Sequence, residues 1–116
     1  MNNYKNLKVW QDAVSLAVNI YKTTNQFPKE ELYGLTSQIR RSAVSIASNI
    51  AEGSGRNSKK EFNQFLGIAH GSSFELDTQL IIASKVGFLN QEEYLKLSQD
   101  LIEIQKMNSG LKKSLT

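Results

Sequence analysis

Four long segments of this 116-residue chain carry apolar residues at helical spacing, and this pattern constrains the fold more than any other feature. Apolar side chains recur at i, i+3, i+4 and i+7, which places them on one face of a helix. The segments run from about 7 to 24, from 30 or 35 to 52, from 58 to 87 and from 90 to 115. None of them alternates as a strand would. The sequence therefore predicts an all-α protein, an antiparallel up-down four-helix bundle in one domain over residues 1–116.

Short breaks with recognisable helix-ending and helix-starting residues separate these segments. Pro28 ends the first segment, because the residue before a proline disfavours helical backbone. Gly53 is predicted to cap the second helix in the left-handed conformation that glycine adopts without strain. Ser58 and Glu61 have the spacing of a capping box at the start of the third helix, and Asn90 is expected to cap the fourth.

The composition bounds the class of protein. There are no cysteines, which excludes disulfides and thiolate metal sites and fits a reducing compartment. No apolar run approaches the ~20 residues of a membrane span. The start of the chain lacks the apolar core of a secretion signal. We therefore expect a soluble, cytoplasmic protein with no membrane partner.

His70 is the only histidine, and this limits both acid–base and metal chemistry. The two Glu-x-x-His pairs of di-iron bundles are missing. Positions 63–66 hold no arginine, so the Arg-x4-6-His motif of bundle ribonucleases is missing as well. The sequence has no phosphate-binding loop, dinucleotide fingerprint or nucleophile elbow. It therefore predicts a non-enzymatic protein with no catalytic residues, no metal site and no cofactor.

The basic excess of the chain is concentrated in one segment. Residues 40–60 hold five cations and one anion, whereas the rest of the chain holds nine cations and ten anions. A local excess of this kind suggests an anionic partner, a solvated turn being the alternative. The candidate nucleic-acid-binding residues are Arg40, Arg41, Arg56, Lys59 and Lys60. The last three surround the amino end of the third helix, where free backbone amides favour phosphate.

Aromatic residues suited to stacking on single-stranded nucleic acid are not expected beside this segment, because Phe62 and Phe65 fall on the core face of the third helix. Arg40 has two interpretations. It either pairs with Glu75 and Gln79, within one chain or between chains, or it binds phosphate.

A second apolar face on the second and third helices suggests self-association. On the third helix, Ile68 and Val86 extend a stripe that is distinct from the core face. Gly67 and Gly71 each lower helix stability by about 1 kcal/mol relative to alanine. Close approach by another backbone would explain why glycine stands at these positions. Scattered surface residues of a monomer are the alternative. The predicted oligomer interface consists of Val44, Ala47, Ala51, Gly71, Glu75, Gln79 and Ile82.

Three motifs together resemble one known family. They are Leu7-Lys-Val-Trp-Gln-Asp-Ala13, the run from Gln38 through Ile46 into Asn49-Ile-Ala-Glu-Gly53, and Gly71-Ser72 with Glu75-Leu76 and Gln79-Leu80. Over nearly its whole length the chain resembles the four-helix-bundle proteins encoded in intervening sequences of bacterial large-subunit ribosomal RNA genes, a family sometimes labelled ribosomal. The resemblance implies a ring-like homopentamer. It extends to accessory variability proteins of diversity-generating retroelements, which look like basic rings that engage nucleic acid and a reverse transcriptase.

Two functions stay open at this point. The first is a homo-oligomer that binds RNA, or a nucleic-acid–protein complex, through the basic segment. In a ring the modest charges of the copies add, and the affinity is expected to fall as salt rises. The alternative is a protein-binding scaffold or accessory subunit without direct nucleic-acid binding, in which the arginines lock subunits together.

Overall fold

The computed structural model describes residues 3–116, and in this range four α-helices pack together without a strand. The helices are α1 (Lys8–Thr24), α2 (Leu35–Ser54), α3 (Lys59–Lys85) and α4 (Gln91–Ser114), and single 3-10 turns lie at Tyr4–Asn6 and Lys29–Glu31. The predicted all-helical fold with four helices is therefore confirmed. Within the described range, no helix is long and apolar enough to cross a membrane.

Most helix ends follow the signals in the sequence. Ser58 Oγ accepts a hydrogen bond from the Glu61 amide at 3.1 Å, which confirms Ser58 as the cap of α3. The capping box predicted there is only half formed, because the Glu61 carboxylate accepts from the Ser58 hydroxyl at 3.3 Å and not from the Ser58 amide. Asn90 caps α4 with a complete capping box, in which its Oδ1 accepts from the Glu93 amide at 2.7 Å and the Glu93 carboxylate accepts from the Asn90 amide. Beyond the end of α3, Gly87 adopts a φ of 89°, the left-handed conformation that favours glycine.

The prediction that Gly53 caps α2 in a left-handed conformation is wrong. Gly53 lies inside α2, and Gly87 is the one described residue with a positive φ. A Cβ atom added at Gly53 would lie 2.6 Å from Phe65 Cβ and 3.1 Å from Phe62 Cδ1. Gly53 is therefore required because α3 approaches α2 closely at this position.

The core is aliphatic along most of its length, and all four helices contribute to it. Phe27 and Leu89, from the connections that follow α1 and α3, are buried at one end of this core. The largest fully buried helical residues are Leu16, Ile20, Ile39, Ile46, Ile50, Phe62, Leu66, Leu76, Leu80, Leu101 and Ile104. Burial of these faces is the main favourable contribution to folding.

Contacts between neighbouring helices run in opposite order along the two partners. Between α2 and α3, Ser42 Oγ lies 2.9 Å from both Glu75 Oε1 and Gln79 Oε1, whereas Gly53 faces Phe62. The end of α2 and the start of α3 therefore lie side by side.

The same reversal occurs between α3 and α4. The Tyr94 hydroxyl donates to Asp77 Oδ1 at 3.0 Å, and Lys112 Nζ donates to Asn63 Oδ1 at 2.9 Å. One end of the molecule therefore holds the end of α2, the start of α3 and the end of α4.

We predict that Gly53→Ala destabilises the protein by about 1–3 kcal/mol, because the added methyl group overpacks the contact between α2 and α3. The matched control is Gly110→Ala in α4, where an added Cβ meets nothing within 4 Å. That change should raise the free energy of unfolding by up to about 1 kcal/mol, since alanine favours the helix. Urea unfolding followed by circular dichroism measures both effects. Equal stability of Gly53→Ala and the wild type would contradict the close-approach explanation.

Candidate nucleic-acid interface

Arg40 is engaged within the chain. Its Nε donates to Thr24 Oγ1 at 2.9 Å and its Nη2 donates to Asn25 Oδ1 at 3.1 Å. The guanidinium carbon also lies 4.7 Å from the centre of the Tyr21 ring. Arg40 thus ties the end of α1 to α2, whereas Glu75 contacts Ser42. This structural role competes with phosphate binding by the same side chain.

Arg56 is also held by neighbours. Its Nη2 donates to Glu52 Oε2 at 2.7 Å, and its guanidinium carbon lies 4.7 Å from the centre of the Phe65 ring. Phe62 is fully buried as predicted, but Phe65 is only half-buried, and part of its ring lies beneath Arg56. The contacts fix the guanidinium in position and leave it partly exposed, with a side-chain exposure of 42%.

Arg41, Lys59 and Lys60 are exposed, and none of them forms an ion pair with another residue in the range 3–116. Their charges are therefore available to an external anion. They do not form one cluster, however, because the helical rise between Arg41 and the end of α2 separates them by about 20 Å. The structure thus brings Arg56, Lys59 and Lys60 together at one end of the molecule and places Arg40 and Arg41 elsewhere.

The end that carries Lys59 and Lys60 gains further cations from other helices. Lys112 reaches Asn63 with its amino group, which places the last turn of α4 beside the first turns of α3. Tyr4 and Trp10 share a groove with Ala51, so the start of α1 is at the same end. We define the basic end by the cations Lys5, Lys8, Arg56, Lys59, Lys60, Lys112 and Lys113.

The charge balance of the basic end is strongly positive. Its anions are Asp12, Glu52 and Glu61, so seven cations and three anions leave a net charge of +4. The whole chain carries only +3, so the rest of the molecule is slightly acidic. The N-terminus of α3 adds the positive end of its helix dipole to this surface.

Lys112 and Lys113 were not among the candidates predicted from the sequence, because they lie more than 50 positions after Lys59. Only the contact between α3 and α4 brings them to the same surface. The predicted order of the helices could have indicated these two lysines. In an up-down bundle, the end of the fourth helix returns to the start of the third.

The predicted oligomer-interface residues divide between two surfaces. Val44, Ala47 and Ala51 line an apolar groove of about 640 Å³ between α1 and α2, which we call the α1–α2 groove. Its opposite wall includes Trp10, Val14, Ala17, Val18 and Tyr21. Arg40 also lines this groove. The groove is concave and offers an external helix a mostly apolar surface.

The second surface lies on α3. We define the α3 ridge by Ile68, Gly71, Glu75, Ile82 and Val86, all of which are exposed. An added Cβ at Gly71 meets nothing within 4 Å, so no part of the same chain explains that glycine. Gln79 differs from the others because it is nine-tenths buried and lies 2.9 Å from Ser42 Oγ. It therefore has little surface to offer a partner.

Comparison with known proteins places the fold in one family. Residues 5–110 match the family model described as 23S rRNA-intervening sequence protein. A solved structure from Bacteroides thetaiotaomicron VPI-5482, described as a protein with unknown function from the S23 ribosomal protein family, is 27% identical, with a TM-score of 0.81. That match covers 90% of this chain and 98% of the solved chain. Among curated proteins there is no match.

We predict that Arg40→Met lowers the free energy of unfolding by about 1–2 kcal/mol, because it removes two charge-assisted hydrogen bonds that tie α1 to α2. The matched control is Arg41→Met on the adjacent, exposed side chain, which should change stability by less than about 0.5 kcal/mol. Urea titrations of the two variants make the comparison. Equal losses in both would remove the structural role assigned to Arg40.

Proposed function

The chain belongs to the 23S rRNA-intervening sequence protein family, and we propose that it is a non-enzymatic, cytoplasmic homo-oligomer that binds RNA through its basic end. The proposal rests on the convergence of cations at this end. They come from α1, α3 and α4, from the 3-10 turn Tyr4–Asn6 and from the connection between α2 and α3. Lys59 and Lys60 are exposed and unpaired among the described residues, which leaves them free to contact phosphates. Phosphate contacts supply most of the affinity in binding that is independent of base sequence.

The residues of the basic end have different roles in this proposal. Lys59, Lys60 and Lys113 are exposed and carry point charges on flexible side chains, which suits contacts with successive phosphates. Arg56 is fixed by Glu52 and Phe65, so it offers a guanidinium in one orientation. Arg41 lies near the other end of α2 and can contact only an RNA that extends along the helix. Arg40 contributes mainly through its contacts with α1.

We further propose that copies of the chain associate through two different surfaces, with the α3 ridge of one copy in the α1–α2 groove of the next. Apart from Glu75 the ridge is apolar, and it is narrow at Gly71. The groove is concave and mostly apolar. Glu75 on the ridge would meet Arg40 of the neighbouring copy, the intermolecular form of the pairing expected from the sequence. The exposed carboxylate and the partly exposed guanidinium are complementary in charge.

A contact between unlike surfaces is head-to-tail, and it closes into a ring when the rotation between copies permits. The homopentamer implied by the family resemblance is such a ring, built from antiparallel up-down bundles. The reversed order of contacts along neighbouring helices supports the up-down arrangement. In a ring, every basic end lies at the same height along the axis, so the charges act together.

The alternative function is a protein scaffold or accessory subunit that does not bind nucleic acid directly. The α1–α2 groove favours it, because a groove with apolar walls and a cation suits an amphipathic helix with an acidic residue. In that case the groove receives a helix of another protein instead of the α3 ridge.

We predict that the double change Lys59→Ala and Lys60→Ala weakens RNA binding and lowers the slope of log affinity against log salt by about 1.4, or 0.7 for each lost contact with a single strand. The matched control replaces Lys29 and Lys96, two exposed lysines far from the basic end. That control should bind RNA almost as the wild type does. Fluorescence anisotropy with a labelled RNA over a salt series measures the slopes. Equal losses in the two double variants would argue against a localised site.

We predict that Val44→Lys and Ile82→Lys each abolish self-association, because each places an ammonium group in one half of the contact. When the two variants are mixed, the intact ridge of the first fits the intact groove of the second. The mixture should therefore form a dimer of about 26 kDa from two chains of 13.0 kDa, with no larger species. Light scattering after size-exclusion chromatography reads the masses. An oligomer of wild-type size in either single variant would contradict the groove-and-ridge contact.

A further inference from the structure

A separate surface pocket lies between α3 and α4. It has a volume of about 490 Å³, and its walls are His70 and Phe74 on α3 and one face of α4 that begins at Ile102. Gly110 contributes no side chain to the α4 wall, and a Cβ at this position would meet nothing within 4 Å. The volume falls within the range of about 300–1,000 Å³ that is typical of small-molecule sites.

The most unusual component of the pocket is an exposed aromatic ring. Phe74 is 54% exposed, although α3 has a continuous buried face elsewhere. His70 packs against it edge-on, with the ring centres 4.7 Å apart and the planes at 74°. This contact limits the motion of the phenyl ring and leaves much of it open to the pocket. A ring of this kind suits stacking by another planar group.

Hydrogen bonds hold the polar groups around Phe74 in place. Ser73 Oγ donates to the His70 carbonyl at 2.6 Å and accepts from Gln105 Nε2 at 3.1 Å. Asn108 Nδ2 donates to the Leu66 carbonyl at 3.0 Å and lies 3.4 Å from His70 Nδ1. When Nδ1 accepts from Asn108, the proton of the neutral imidazole lies on Nε2, where it can be donated to a ligand.

Two lysines give the pocket its charge. Lys106 and Lys113 both line it and are exposed. They are seven residues apart on α4, which separates their backbones by about 10 Å along the helix axis. Lys106 has only a long contact with Glu103, at 3.7 Å. Lys113 also belongs to the basic end, so the pocket continues the surface on which the RNA phosphates are expected.

We propose that this pocket binds one unpaired nucleotide of an RNA strand, with its base stacked on Phe74 and its flanking phosphates on Lys106 and Lys113. A neutral apolar occupant would use the ring but not the lysines, whereas a nucleotide uses both. Bases in a duplex are stacked on each other and cannot enter, so the pocket gives a preference for single-stranded RNA. The inference rests on the proposed RNA binding and adds the form of RNA that is preferred.

The test compares wild type, Phe74→Leu and Phe74→Trp on a labelled single-stranded RNA and on the corresponding duplex. Leucine retains apolar contacts but has no ring to stack on, so the affinity for the single strand should fall roughly tenfold, while affinity for the duplex should not change. Tryptophan retains a stacking surface and should preserve the affinity for the single strand. Light scattering on each variant should give the wild-type mass.

Three other results would overturn the inference, and each would point to a different cause. Unchanged affinity in Phe74→Leu, or an equal loss on single strand and duplex, would remove the stacking site while leaving RNA binding at the basic end intact. A change of mass in Phe74→Leu would assign the ring to an interface between proteins. Failure of the wild type to bind either RNA would overturn both this inference and the proposed function.

Discussion

The close packing of α2 against α3 at Gly53 is the contact on which the rest of the surface depends. Any side chain at this position would meet Phe65 Cβ, so the two helices can approach each other only because the residue is glycine. The approach places Arg56 over Phe65 and sets the first turn of α3 beside the end of α2. From there α3 runs for 27 residues, and α4 returns to bring Lys112 to Asn63. The basic end is thus a product of helix packing, and no single segment of the chain contains it.

Three surfaces of the molecule have complementary roles in the proposed oligomer. The α1–α2 groove and the α3 ridge are mostly apolar surfaces of opposite shape, which suits repeated association of one chain in a single direction. The basic end has a net charge of +4, too small by itself for tight binding to nucleic acid. In the proposed ring, repetition of that charge would compensate for the weakness of each copy. In the proposed complex, the pocket at Phe74 would add a contact that depends on unpaired bases and not on charge alone.

The sequence predicted the four helices because each buries a long apolar face. The helical spacing of apolar residues remains recognisable even where a single position departs from it. It could not predict why Gly53 is glycine, because a left-handed turn and a close helix contact both require that residue. The partners of Arg40 were missed because they lie at the end of α1, 15 and 16 residues earlier. Helical spacing within one segment does not predict which helices touch. The same reason applies to Lys112 and to the pocket at Phe74, since both need the contact between α3 and α4.

The central claim is that an oligomer of this chain binds RNA, and sedimentation of the wild-type protein with a labelled RNA tests it most directly. The experiment follows the RNA label at low and at near-physiological salt. The account predicts that the label sediments with a protein oligomer at both, and that a smaller fraction is bound at the higher salt. RNA that sediments as free RNA even at low salt would contradict the account, and so would a complex that contains a single protein chain.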